Sequence, residues 1–433
     1  MMRSSSRGTT SPRLVRDRSA TLIHLVSRPP ADARSAAWLA LERVASGRAD
    51  RLSDVIETCA LEPRDAALAR ELAHGVARNH RLYEFLARAF LRPGGQADAL
   101  LRALALGAHQ LFALDQIPPH AACATTVELL RQHGAQGLTG VANAVMRRLA
   151  ELRLAERVGD GPLGRIPPAH WPRDPAIRAS LPDALITDLR PAEVTDQQLA
   201  DLNRLAPLCT RTRPGCAPPT GLGILRQEGE WTWWDDPQQA LHGPVAAGRC
   251  VVQDRAQGHV AALSGARPGE LVLDLCAAPG GKALAFVDRG CRVIAGELNP
   301  RRVARLRGNL PSQAAVLLQD AGRPALAAQA FDVVVVDVPC SNSGVLGRRP
   351  EARWRYRPDM LSKLGELQQR LLRSAAGLVR PGGRLIYSTC SVTPAENQGI
   401  AHRLDGWRIL AEQRSWPDAW QAGGYVAVLV RHP

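Results

Sequence analysis

The spacing of apolar residues along the chain changes rhythm twice. From Ala33 to about Leu154, apolar positions recur every three or four residues. They do so in SAAWLALERVAS, RDAALARELAHGVARN, ADALLRALALGAHQLFAL, PHAACATTVELLRQHG and LTGVANAVMRRLAEL. That is the period of one helix face. Pro63, the Pro-Gly-Gly run at 93–95 and the Pro-Pro pair at 118–119 punctuate the pattern, so a bundle of about five to seven helices is predicted over 33–155. Through 156–248 proline and glycine are frequent and periodic runs are short, which predicts a small α+β segment or an ordered linker. Within it Trp231 and Trp233 alternate as on one strand face, a pattern that core packing explains. Arg211 and Arg213 share one face of an extended run and read as a phosphate clamp or as a solvated edge.

From Arg249 to the C-terminus at 433, strand-like and helix-like patterns alternate. Strands are predicted at 271–275, 291–297, 314–318, 331–337 and 383–389, and helices at 281–289, 299–309, 359–380 and 394–404. A last strand pair is expected near 407–411 and 424–430. Such alternation predicts a parallel sheet with helices on both faces. Ligands of such sheets lie beyond the carboxyl ends of the strands. The opening stretch, 1–32, is rich in Arg, Ser and Thr without periodicity. It reads as a disordered basic leader, either touching RNA or without a role.

Composition sharpens the class. The 433 residues exceed one ordinary core, and the balance of 45% hydrophobic to 22% charged residues is that of a globular protein. A net charge of +14 points to a polyanionic partner, RNA or DNA ahead of a membrane. No apolar run approaches bilayer length, and TLIHLV, broken by His24, makes a poor secretory signal. The nine cysteines are odd in number and lack C-x-x-C pairs, which argues against a disulfide framework and against a zinc site. Reduced thiols in a cytoplasm, mostly buried as core fillers, are the expectation, with no metal and a monomeric chain. His74, His80 and His109 read as ordinary helix residues.

The candidate chemistry lies in the last part of the chain. LVLDLCAAPGGK, from Leu271 to Lys282, is an apolar strand running into a glycine-bearing turn at the start of a helix. That arrangement holds charged or nucleotide-like ligands. A Walker A loop would need glycine and Ser or Thr where Cys276 and Ala283 stand, and the G-x-G-x-x-G pattern is missing, so ATP and NAD lose ground. Of 55 basic residues only Lys282 and Lys363 are lysines. A tight polar site distinguishes the two cations; the competing view is a surface lysine surviving by chance. Glu297 ends the second strand and suits a ribose diol, although acids there also cap the next helix. Asp320 follows the third strand, in place to accept from an adenine amino group, and Asp337 closes FDVVVVD, where an unpaired charge would be costly. Cys340, in DVPCSNSG, and Cys390, in YSTCS, stand just past two strand ends and could face a common pocket.

Together CAAPGGK, DVPCSNSG and YSTCS, with VVQDRAQG (Val251 to Gly258) upstream, resemble the RNA cytosine-5 methyltransferases of the RsmB/Nop2/Sun family. Arg70, Leu72, Gly75, Arg78 and Asn79, then NAVMRR from Asn143 to Arg148, resemble the NusB family of RNA-binding helical domains. A NusB-like domain in front points to the family's bacterial branch, which acts on small-subunit ribosomal RNA. The resemblance implies three parts: an all-α NusB-like bundle, a small α+β segment, and a Rossmann-like class I methyltransferase domain over 249–433. It implies S-adenosylmethionine held by Cys276, Ala277, Ala278, Pro279, Gly280, Gly281 and Lys282, with Glu297 at the ribose, Asp320 by the adenine and Asp337 between methyl donor and base. It also implies Cys390 as the nucleophile and Cys340 as the thiol that assists product release. Where the family often carries Asp-Gly-Phe-Phe, this chain has Gly424 and Tyr425 in a matching packing role.

The chemistry accounts for these residue types. Carbon 5 of cytosine is a poor nucleophile until a thiolate adds at carbon 6, and an ordinary Cys, with a pKa of about 8.5, is only slightly ionised at neutral pH. The target base must also leave its stack. Just after Cys340, GRRPEARWRYRP interleaves arginines with Trp354 and Tyr356. This is a pattern for single-stranded RNA, or else a solvated basic helix start. Transfer RNA as substrate, and a non-catalytic, antitermination-like RNA-binding protein with a vestigial methyltransferase domain, are the rival readings.

Overall fold

The computed structural model describes residues 30, 32–158 and 161–432. The leader read from 1–32 falls almost wholly outside them. Six helices form the first part: α1 (Ala33–Ala45), α2 (Leu52–Glu57), α3 (Pro63–Arg88), α4 (Asp98–Phe112), α5 (Pro119–Gln132) and α6 (Thr139–Leu152). Asp32 caps α1 by accepting from the Arg34 and Ser35 amides, and proline opens α3 and α5, where a missing N–H costs nothing. Their apolar stripes meet in one core that includes Leu41, Leu72, Leu104, Phe112 and Leu149. His109 is structural there: its buried ring bonds the Tyr83 hydroxyl at 2.8 Å and fills the space a side chain at Gly75 would need.

The middle of the chain holds short helices, among them α7 (Pro175–Arg178), α8 (Asp183–Leu189) and α9 (Asp196–Asp201), and a four-stranded antiparallel sheet. Its strands are β1 (Leu208–Thr212), β2 (Ile224–Glu228), β3 (Trp231–Trp234) and β4 (Cys250–Val252), in the order β2-β3-β1-β4. The last of them lies beyond the boundary at 248 read from the sequence, because Cys250–Val252 pairs with the free edge of β1. Trp233 is wholly buried, as the alternation suggested.

The remainder is a seven-stranded sheet in the order β10-β11-β9-β8-β5-β6-β7. The strands are β5 (Leu271–Asp274), β6 (Arg292–Glu297), β7 (Ala315–Leu318), β8 (Phe331–Asp337), β9 (Val379–Thr389), β10 (Trp407–Ser415) and β11 (Gly424–Arg431). β5 to β9 are parallel, and β11 runs antiparallel between β9 and β10. Period-two alternation feeds two cores. Val333 and Val335 pack on one face of the sheet, and Val334 and Val336 on the other. The helix predicted at 394–404 shrinks to 398–401, because Ser391 to Asn397 spend their polar groups on a buried hydrogen-bond network. The helix predicted at 359–380 ends at Ala376, and Val379 already pairs with Phe331 in the sheet.

Candidate active site

The carboxyl edge of the large sheet gathers the site. β5 ends at Asp274, the chain turns through 275–280, and a helix (Gly281–Asp288) begins. Gly280 has φ +113°, a conformation glycine adopts freely, and a Cβ there would lie 3.1 Å from the Leu306 side chain. Three contacts fix the loop: Ala277 N–H donates to Gly296 O, Asn309 Nδ2 to Pro279 O and Gln253 Nε2 to Gly281 O.

Acidic groups ring this loop. Asp274 is fully buried, and neither of its oxygens has a hydrogen-bond partner. Burial first, then the Asp337 charge, pushes its pKa up to about 7. The Cys276 thiol rises far above its ordinary value, through burial and then through the charges of Asp274, Asp337, Glu297 and Asp320. Glu297, at the end of β6, is buried and accepts from the Asn299 amide at 2.9 Å. Asp320, exposed after β7, accepts from the Gly322 amide at 2.8 Å.

Lys282 Nζ lies 2.7 Å from Asp337 Oδ2 and also donates to Gln257 Oε1. Burial works against its charge, yet Asp337, Asp274 and the Cys390 sulfur outweigh that and raise its pKa. The second Asp337 oxygen accepts from Ser388 Oγ at 2.7 Å, so the carboxylate closing β8 has its donor partners. Past the ends of β8 and β9, Cys340 Sγ and Cys390 Sγ are 3.0 Å apart. The Cys340 thiol is held well above its ordinary range by its hydrogen bond with Cys390, by burial, and by the charges of Cys390 and Glu396. Asn342 spans the pair: its Oδ1 accepts from Cys390 Sγ at 3.4 Å and its Nδ2 donates to Cys340 O at 2.9 Å.

Gln257, Asn342, Ser388 and Glu396 were not singled out from the sequence. Gln257 lies in the VVQDRAQG stretch, which was noticed without a role for that residue. Tyr425 is buried and meets Tyr387 edge-on.

Two readings are corrected. Arg211 and Arg213 form neither a phosphate clamp nor a solvated edge, since both pair with the buried Asp288 carboxylate, at 2.6 and 2.9 Å. GRRPEARWRYRP is largely turned inward rather than laid out for RNA bases. Arg353 is buried and donates to carbonyls of Arg78, Ala179, Ser180 and Leu346 and to Asn203 Oδ1. Burial, and then the Arg78 charge, pushes its pKa down to about 9. Tyr356 is buried and donates to Asp188 at 2.9 Å, and Trp354 packs against the helical core. Of the residues that resemble the NusB family, Arg78 donates to Gly347 O at 3.1 Å and Asn79 is buried.

Comparison with known proteins gives two family matches: 16S rRNA methyltransferase RsmB/F over residues 261–408, and the NusB family over 31–151. The Synechocystis sp. protein named "Probable ribosomal RNA small subunit methyltransferase B" is 32% identical, over 87% of this chain and 90% of its own. Ribosomal RNA small subunit methyltransferase B of Xanthomonas campestris is 33% identical, over 78% of each chain. The crystal structure of PH0851 superposes with a TM-score of 0.67 at 19% identity, over 92% of this chain and 98% of its own, which shows a shared fold.

Proposed function

The chain belongs to the RsmB/F family of 16S ribosomal RNA methyltransferases, and from that membership we propose that it methylates carbon 5 of a cytosine in small-subunit ribosomal RNA through a covalent bond from Cys390. The chemistry is S-adenosylmethionine-dependent methyl transfer. The observation that carries the detailed reading is the pair of sulfurs 3.0 Å apart beside the Lys282–Asp337 ion pair.

The residues round the loop fit the cofactor. S-adenosylmethionine carries ammonium and sulfonium charges, and its ribose hydroxyls and adenine amino group are donors. Against these stand the two partnerless oxygens of Asp274 and the carboxylates of Glu297, for the ribose, and Asp320, for the adenine. The loop from Cys276 to Lys282, opening a helix, completes the cradle. When bound, the cofactor supplies an electrophilic methyl group for carbon 5.

The protein's own residues do the rest. Cys390 gives its S–H proton to water and, as the thiolate, adds to carbon 6, forming a C–S bond and moving the ring's π pair toward carbon 5 and the ring nitrogen. Lys282 keeps a proton beside Asp337, which a carboxylate meeting that nitrogen as charge builds requires. After methylation the carbon 5 proton passes to water, the double bond re-forms, and the C–S pair returns to the Cys390 sulfur. Cys340, kept as a thiol, is the donor placed to hydrogen-bond that departing sulfur.

The test is a comparison of two variants with a ribosomal RNA substrate. Cys390→Ala should lose methyl transfer and any covalent RNA adduct. Cys340→Ala should attack and methylate but stay bonded, giving a slow band on a denaturing gel that requires S-adenosylmethionine and vanishes with nuclease. The opposite pattern would exchange the two roles; full activity in both variants would remove the pair from catalysis.

A further inference from the structure

Glu396 lies outside every motif considered so far, yet it is the most heavily bonded carboxylate near the thiols. It is 1% exposed. Its Oε1 accepts from the Ser341 amide at 2.8 Å and from Gln368 Nε2 at 3.0 Å. Its Oε2 accepts from Ser341 Oγ at 2.5 Å, Ser391 Oγ at 2.6 Å and Thr393 Oγ1 at 2.9 Å. All five donors are neutral. A buried charge set only among dipoles is costly to desolvate, and such a residue holds its neighbours firmly in return.

The identity of the donors shows what is held. Ser341 follows Cys340 directly and Ser391 follows Cys390, so one carboxylate grips both cysteine loops one residue beyond each sulfur. Ser343 closes the ring: its hydroxyl bonds Ser391 Oγ at 2.9 Å and accepts from the Val392 amide at 3.1 Å. Gln368 ties the arrangement to Pro339 O at 3.0 Å, on the other side of Cys340. Cys390 follows the strand β9 directly, whereas Cys340 stands three residues past the end of β8. Loss of the clasp therefore frees Cys340 more than Cys390.

We propose that Glu396 is a positioning residue that clasps the two cysteine loops and keeps the Cys340 thiol against the Cys390 sulfur for the release step. This rests on the reading of Cys390 as nucleophile and Cys340 as release thiol. In that step the carbon 5 proton goes to water, the C–S bond breaks, and its electron pair returns to Cys390 sulfur while the Cys340 S–H donates to it. Displacing Cys340 slows bond breaking without touching attack or methylation.

The experiment uses the full chain, a small-subunit ribosomal RNA fragment and S-adenosylmethionine, and follows the burst and the steady state. Glu396→Gln retains shape but cannot accept from all these hydroxyls. Ser341→Ala removes the hydroxyl on the Cys340 side, with its contacts to Glu396, Ser343 and Ser391, and Thr393→Val removes a hydroxyl on the Cys390 side alone. Glu396→Gln and Ser341→Ala should keep a methylation burst near one equivalent of enzyme, lose about tenfold or more in steady-state rate, and accumulate the covalent adduct. Thr393→Val should stay near wild type in adduct. A proportional loss of burst and steady state in folded Glu396→Gln, or a Ser341→Ala enzyme with wild-type turnover and no adduct, would overturn the proposal. If Glu396→Gln fails to fold, Ser341→Ala alone decides. Failure of the underlying reading looks different: Cys390→Ala would then still methylate.

Discussion

Burial, and then the Asp337 charge, raises Asp274 to about 7, so in mildly acidic solution the folded protein holds a proton there that the unfolded chain releases. Its unfolded value is near the ordinary 3.8. Because the folded state binds the extra proton between these values, stability falls as pH rises from about 4 to about 7 and levels off above, by on the order of 4 kcal/mol. Asp274→Asn removes that dependence. Thermal melts of the cofactor-free proteins should show Asp274→Asn gaining on wild type across this range and melting higher at pH 8, while calorimetry should show S-adenosylmethionine binding at least about tenfold weaker, one lost charge-assisted contact being worth roughly 1.5–3 kcal/mol. Equal affinities would remove Asp274 from the cofactor site. At this scale the sequence made some residues legible and hid others. Cys340, Cys390, Lys282 and Asp337 are reactive types placed where strand rhythm stops, so their convergence follows from the fold class alone. Glu396 and the isolation of Asp274 depend on what packs around them, which no local pattern encodes.

Whole elements were legible wherever one periodicity ran uninterrupted. FDVVVVD is continuous and apolar because β8 is buried on both faces, and its length and ends match the prediction. The pattern misled where polar groups serve contacts distant in sequence. Arginines and aromatics in 346–357 look like an RNA surface, but they form a wedge against the helical part and the middle of the chain, with carbonyls of both as acceptors. Arg211 and Arg213 misled for the same reason, their partner Asp288 lying 77 and 75 residues away. The wedge depends on backbone touching backbone at Gly347, where a Cβ would lie 1.9 Å from Arg204 O. Gly347→Ala must therefore push two main chains apart, at a cost of about 1–3 kcal/mol or more. Melting should fall by several degrees, more than for an exposed glycine such as Gly308, which meets nothing within 4 Å; an unchanged midpoint would mean the contact is looser than this.

Across the whole molecule, Arg353 touches all three parts of the chain at once, through Arg78 from the helices, Ser180 and Asn203 from the middle, and Leu346 from its own segment. The helices and the large sheet each have their own core, and chains built this way often lose their parts one at a time on heating. A cation whose compensation is shared among three neighbours works against that. If any one part opens, water reaches a site whose remaining acceptors are left half-bonded, and the others lose stability with it. Scanning calorimetry of the intact protein should show a single heat-absorption peak, and Arg353→Ala should split it into at least two, the earlier one from the smaller unit. Two peaks in the unaltered protein would show that the wedge only touches its neighbours. With a single peak, a cut that opens one part lowers the stability of the other two as well, so the three parts stand or fall together.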